Sequence, residues 1–104
     1  MPAPKLQLIW SPEAETDLLT IWGWGAAHFS PEMADTHLRD IQRAATHLTA
    51  FPEAGAARDQ IVPGIRSIVV YATVIFYRIG SVSIDIVRVV DGRRNLAALS
   101  PSGA

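Results

Sequence analysis

Six arginines stand in the second half of this chain, most of them one to an apolar, strand-like segment: Arg58, Arg66, Arg78, Arg88, Arg93 and Arg94. A guanidinium is a planar fork of N–H donors, so such a series suits two chemistries. It can hold the carboxylates of another polypeptide, or it can stabilise the charged phosphorane formed when a ribose 2′-hydroxyl attacks the adjoining phosphate. The second also needs a base, and an acid for the leaving oxygen. His28, His37 and His47 all lie in the other half of the chain, spaced too widely to share one helix turn as a ligand pair would. They read as surface or helix-edge residues. Lys5 is the only lysine, and Tyr77 reads as a packing residue with its hydroxyl at a sheet edge rather than as an acid. No catalytic residue is assigned. The arginines are read as contacts for an acidic partner; pairing of Arg78 and Arg88 with Asp85, Asp91 or helix carboxylates is the structural alternative.

Local patterning sets the elements that carry these residues. Residues 6–10 form a first strand. Ser11-Pro12-Glu13 and Ser30-Pro31-Glu32 each give an N-cap, a proline at the first helical position and a carboxylate at the positive helix end. Helices are expected over 12–29 and 31–51. The first puts Ala14, Leu18, Ile21, Trp22, Gly25 and Phe29 on one face, and the second puts Ala34, Leu38, Ile41, Ala45 and Leu48 on another. So short a connection makes them an antiparallel hairpin. Gly23 and Gly25 are expected to let Trp22 or Phe29 pack closely, since Gly23-Trp24-Gly25 sits within a helix and is no dinucleotide fingerprint. Residues 53–63 read as a loop. Strands over 65–72, 74–79 and 83–90 then form a meander with Ala72-Thr73 and Gly80-Ser81-Val82 as turns. The fold class is α+β, in the order β-α-α-β-β-β, with the hairpin packed on one face of a small, antiparallel-dominated sheet. The segment 95–104 is expected to be loose.

Both faces of the last two strands are apolar, a pattern of doubly covered strands. Two helices cover one face, so the other is expected to meet a second polypeptide, here beside Trp22, Trp24, Phe76 and Tyr77. A positive mean hydropathy of +0.20 points the same way. At 104 residues the chain is one domain. The absence of cysteine excludes disulfides and suits a cytoplasmic setting. No apolar run is long enough to span a bilayer. The near-zero net charge hides a split: residues 1–55 carry three cations against seven carboxylates, residues 56–104 six against three. Neither half carries the arginine stripe of a DNA-recognition helix. No metal or other cofactor is expected.

The ordered set Ser11-Pro12-Glu13, Asp17-Leu18, Ile21-Trp22, Ser30-Pro31-Glu32-Met33-Ala34, Phe51-Pro52, Gly55, Gly64-Ile65-Arg66, Val74-Ile75-Phe76-Tyr77-Arg78-Ile79 and Ile84-Asp85-Ile86-Val87-Arg88-Val89-Val90, followed by Gly92-Arg93-Arg94, resembles the ParE-type toxins of the ParE/RelE superfamily. The resemblance implies the toxin of a bacterial type II toxin–antitoxin system with a ParD-type antitoxin as partner and DNA gyrase as target. The antitoxin or the target is then expected to meet Arg66, Arg78, Arg88, Arg93, Arg94, Trp22, Trp24, Phe76 and Tyr77. RelE-type relatives instead cut messenger RNA on the ribosome, which is the alternative activity. A non-toxic interaction module of the same fold is the third. The chain departs from many relatives in having Asp91 before Gly92 and Asn95 after the double arginine.

Overall fold

The computed structural model describes residues 6–92 of the chain. Eight elements succeed one another: β1 (Gln7–Trp10), α1 (Pro12–His28), α2 (Pro31–His47), a 3-10 turn (Pro52–Ala54), β2 (Ala56–Ala57), β3 (Arg66–Val70), β4 (Thr73–Ile79) and β5 (Ser83–Asp91). The strands form one sheet in the order β1-β5-β4-β3-β2. β1 runs parallel to β5 and the other pairs are antiparallel. This is the α+β architecture expected, with the hairpin on one face of the sheet.

Both helices start at the capping serines. Ser11 Oγ accepts from the Ala14 N–H at 3.0 Å, and Ser30 Oγ from the Met33 N–H at 3.1 Å. The helical hairpin and the sheet enclose one core, in which Ala14, Ile21, Ile41, Ala45 and Leu48 meet Ile75, Tyr77, Ile84, Ile86 and Val89. Burial of the larger aliphatic side chains is worth on the order of 2 kcal/mol each, which makes this face the main source of stability. α2 stops at His47, earlier than its stripe suggests. Leu48, its C-cap, still points into the core, but the chain there turns towards the 3-10 segment.

Three further departures from the sequence reading have local causes. The segment before β3 is not an open loop. β2 pairs with β3, and bonds from Arg58 N–H to Ile65 O and from Ile65 N–H to Val62 O fold residues 58–65 into a compact turn. β3 ends at Val70, and Tyr71-Ala72 form a two-residue turn in which Tyr71 takes φ 56°. An L-residue there costs roughly 1 kcal/mol or more. The aromatic and β-branched run 68–71 reads as strand, but α2 holds Tyr71 from outside by a bond to Asp40 and an edge-on contact with His37. Gly23 and Gly25 are not needed for close packing. A Cβ would meet nothing at Gly23 and only Ala34, at 3.5 Å, at Gly25.

Gly55 is the glycine that close approach does require. A Cβ there would stand 2.6 Å from Tyr77 Oη and 2.7 Å from the Ser67 carbonyl oxygen. Its own N–H donates to Tyr77 Oη at 2.9 Å, and that hydroxyl donates to the Pro52 carbonyl at 2.6 Å. The core tyrosine thereby fixes the turn that carries the chain from the hairpin back to the sheet.

Candidate protein-binding surface

The four described arginines of the second half meet different fates. Arg88 sits at a bulge: Phe76 lies opposite Arg88 and Tyr77 opposite Ile86, so Val87 is the extra residue of β5. The first turns of α1 satisfy what the bulge leaves open. Ser11 Oγ donates to the Val87 carbonyl at 2.7 Å. Asp17 accepts from Arg88 Nε at 2.7 Å, from Arg88 Nη2 at 2.9 Å and from the Val89 N–H at 2.9 Å. The Asp17 side chain is only 14% exposed. Hydrogen bonding to Asp17 raises the Arg88 pKa above its ordinary value, burial opposes this, and the Asp17 and Glu13 charges add to the rise.

Arg66 is likewise turned inward, donating from Nε to the Gly55 carbonyl at 3.0 Å and from Nη2 to the Glu53 carbonyl at 3.2 Å. Arg58 Nε donates to Ser67 Oγ. Arg78 is exposed and makes no hydrogen bond or ion pair among the described residues. Its register partner is Asp85, but that carboxylate accepts from Ser83 Oγ at 2.8 Å instead. Arg93 and Arg94 lie outside the described residues, as does the segment 95–104 expected to be loose.

The aromatic members of the predicted set separate in the same way. Phe76, 3% exposed, and Tyr77, fully buried, are interior residues. The far face of the sheet is covered from within: Ile65 and the half-buried Val62 pack with Phe76 and Val90. The apolar double-sided strands therefore reflect a folded loop as well as the hairpin, and the expected platform around Phe76 is not open. Trp22 and Trp24 are half-buried on the helical hairpin. Trp22 Nε1 donates to Asp35 Oδ1 at 2.7 Å, tying α1 to α2, while Trp24 stacks on His28 at 4.2 Å.

What the hairpin leaves open is an apolar groove of about 490 Å³ between its helices, walled by Leu18, Leu19, Trp22 and Leu38 with Glu15 and Gln42 at the rim. Leu19 is the residue that sequence reasoning missed. It is a large apolar side chain beside the core face, and 75% exposed. A second groove, of about 510 Å³, lies between the far end of the hairpin and the Tyr71 turn. Phe29, Met33 and Tyr71 line it, and all three are exposed. Three neighbouring exposed apolar side chains form a patch that calls for an occupant. His37, read as a helix-edge residue, reaches the sheet here through Nε2 and Thr73 Oγ1 at 3.0 Å.

No group of three or more metal-ligating side chains occurs among the described residues, and no helix among them is long and apolar enough to cross a membrane.

The family described as "ParE toxin of type II toxin-antitoxin system, parDE" matches residues 8–96. The chain belongs to this ParE toxin family. Toxin ParE1 of Mycobacterium tuberculosis is 34% identical over 87 residues, which cover 83% of this chain and 89% of the relative. Toxin ParE3 of Caulobacter vibrioides is 36% identical over 67 residues, or 64% of this chain and 67% of the relative. A solved structure titled "Chromosomal ParDE TA system from P. aeruginosa" superposes with a TM-score of 0.74 at 26% identity, over 84% of this chain and 96% of that one. The chain is thus a ParE-type toxin of a type II toxin–antitoxin system, a protein that acts by binding rather than by catalysing a reaction.

Proposed function

We propose that this ParE-type toxin inhibits DNA gyrase in the cytoplasm and is neutralised by a ParD-type antitoxin. The observation that carries the antitoxin reading is the groove walled by Leu18, Leu19, Trp22 and Leu38, which leaves Leu19 in solvent beside three half-buried large apolar side chains. An amphipathic helix laid along it would bury them. Carboxylates on the same antitoxin would find Arg78, which has no internal partner among the described residues. The gyrase reading rests on family membership. It gains support from the way Arg66 and Arg88 are engaged by internal acceptors. Guanidiniums so held are poorly placed to stabilise a phosphorane, the role that RNA cleavage would ask of them.

Purified toxin added to a gyrase supercoiling assay and, in parallel, to translating ribosomes tests the target. Loss of supercoiling with intact translation is expected, with recovery on addition of an equimolar ParD-type antitoxin. Arrest of translation with supercoiling untouched would establish the ribonuclease alternative. No effect in either assay would leave a non-toxic interaction module.

A further inference from the structure

Tyr71 stands where a smaller residue would serve the fold better. It takes φ 56°, a conformation that glycine or asparagine adopts at less cost. Its ring is 74% exposed, so burial does not offset the strain. The ring is nevertheless held in place: Oη donates to Asp40 Oδ2 at 3.0 Å, and His37 packs edge-on at 5.8 Å. A strained turn that presents a fixed aromatic ring to solvent points to recognition rather than packing.

Tyr71 and Asp40 form one end of the second groove, and Met33 and Phe29 lie towards the other. Its volume of about 510 Å³ is that of a site enclosing a small ligand or a few side chains. The lining is mostly apolar, and among the described residues no lysine or arginine contributes to it. Two carboxylates do. Asp40 Oδ1 accepts no hydrogen bond among the described residues; the Arg43 guanidinium, 75% exposed, lies 3.8 Å away, beyond hydrogen-bond length. Glu32, further along α2, is exposed and extends the negative field. An aromatic ring beside a carboxylate, at the end of an apolar trough, is the complement of a cation on a carbon stem. A guanidinium suits it better than an ammonium, because its plane can stack on the ring while its fork reaches the carboxylate.

We propose that this groove takes an arginine-bearing segment of a partner polypeptide, with the guanidinium on the Tyr71 ring and Asp40 and an apolar side chain on Met33 and Phe29. Seven helical steps from Asp40 back to Met33 span about 10.5 Å. In an extended segment the residue two places from the arginine projects to the same side, about 6.6 Å along. The long arginine stem covers the remaining distance of about 4 Å. The segment therefore carries an arginine, any residue, and then an apolar residue. This surface is distinct from the Leu19 groove and asks for the opposite charge to Arg78, so the proposal holds whichever target the toxin has.

The test titrates a blocked tripeptide, acetyl-Arg-Ala-Leu-amide, into the isotope-labelled full chain and follows the backbone amide shifts. A second tripeptide carries citrulline in place of arginine, which keeps the shape and removes the charge. The expected result is saturable shifts at Met33, Thr36 and Tyr71 with a Kd of about 5 mM or tighter. The citrulline tripeptide should bind about fivefold more weakly, and Asp40→Asn should abolish that preference. Tyr71→Asn should weaken arginine binding by about threefold or more without lowering the denaturant midpoint, because asparagine tolerates the left-handed turn. Equal binding of the two tripeptides would overturn the proposal, as would shifts confined to Leu18, Leu19 and Trp22 or no saturable shift at all. Binding seen only after Arg93→Gln with Arg94→Gln would overturn it by giving the site to this chain's own arginines. Self-association that shields Met33 and Tyr71 from the tripeptide would do so by giving it to a second copy.

Discussion

Arg78 and Arg88 lie on neighbouring strands of one sheet, each flanked by aliphatic or aromatic residues, and in the sequence they look like equivalents. The structure makes them opposites. Arg88 is gripped by Asp17 through two bonds, within a bulge whose freed Val87 carbonyl and Val89 N–H are also taken up by Ser11 and Asp17. Arg78, opposite Asp85, has no such partner among the described residues and stands in solvent. The difference lies in the element overhead. α1 crosses β5 and presents a carboxylate to the bulge. A guanidinium near the core must be paired, whereas one at the margin is left for another molecule. Arg66 belongs with Arg88, since the backbone carbonyls of Glu53 and Gly55 hold it.

Asp17→Ala attacks this contrast most directly. It leaves the Arg88 guanidinium and the Val89 N–H without acceptors, for an expected loss of about 3 kcal/mol in denaturant unfolding. If Asp17→Ala unfolds at the same denaturant concentration as the parent, Arg88 is not structural. Gly55→Ala should cost about 2 kcal/mol, because the new Cβ collides with Tyr77 Oη and a backbone oxygen and displaces the turn that anchors Arg66. Tyr77→Phe strips the same turn of two hydrogen bonds and should cost about 1–2 kcal/mol. Parental stability in that variant would show the turn to be held elsewhere.

Arg78→Ala probes the opposite arginine. Its effect on stability should stay within about 0.5 kcal/mol. Antitoxin affinity or toxicity should nevertheless fall by about tenfold, the effect of a moderate interface hot spot. Unchanged affinity and unchanged growth inhibition would remove Arg78 from the binding surface. The smallest effect concerns Tyr71, whose hydrogen bond to Asp40, helped by the Asp40 charge, raises its pKa. The folded protein holds the protonated phenol. That contribution is complete below the ordinary phenol pKa of about 10 and is lost as pH rises through the higher folded value. An absorbance titration should place Tyr71 above a free tyrosine, and Asp40→Asn should bring it back down. Coincidence with free tyrosine in the parent would show that the Asp40 bond does not form in solution.

Much of the fold was legible because its signals are local. Ser11 and Ser30 cap the helices where Ser-Pro-Glu predicts, the α2 stripe through Ile41 and Ala45 reaches the core, and Gly80 turns β4 into β5. The site was less legible. Phe76 and Tyr77 read as open to a partner because residues 58–63 read as loop, and nothing in their composition announces a turn stitched by backbone bonds at Arg58 and Ile65. Tyr71 read as strand because its left-handed turn is held by side chains of α2 more than thirty residues away. Leu19 was passed over because an exposed leucine and a core leucine look alike until the helix is docked.

By itself, then, the order of residues determined the element types, the capping of the helices, the pairing of the hairpin and the family. Each depends on spacing within a few turns or strands. Only the folded chain decided which arginines are structural and which face outward. That choice depends on a carboxylate seventy-one residues distant, brought within 2.7 Å by the packing of α1 over β5. Electrostatic partnership at that range is a property of packed surfaces, and no local pattern encodes it.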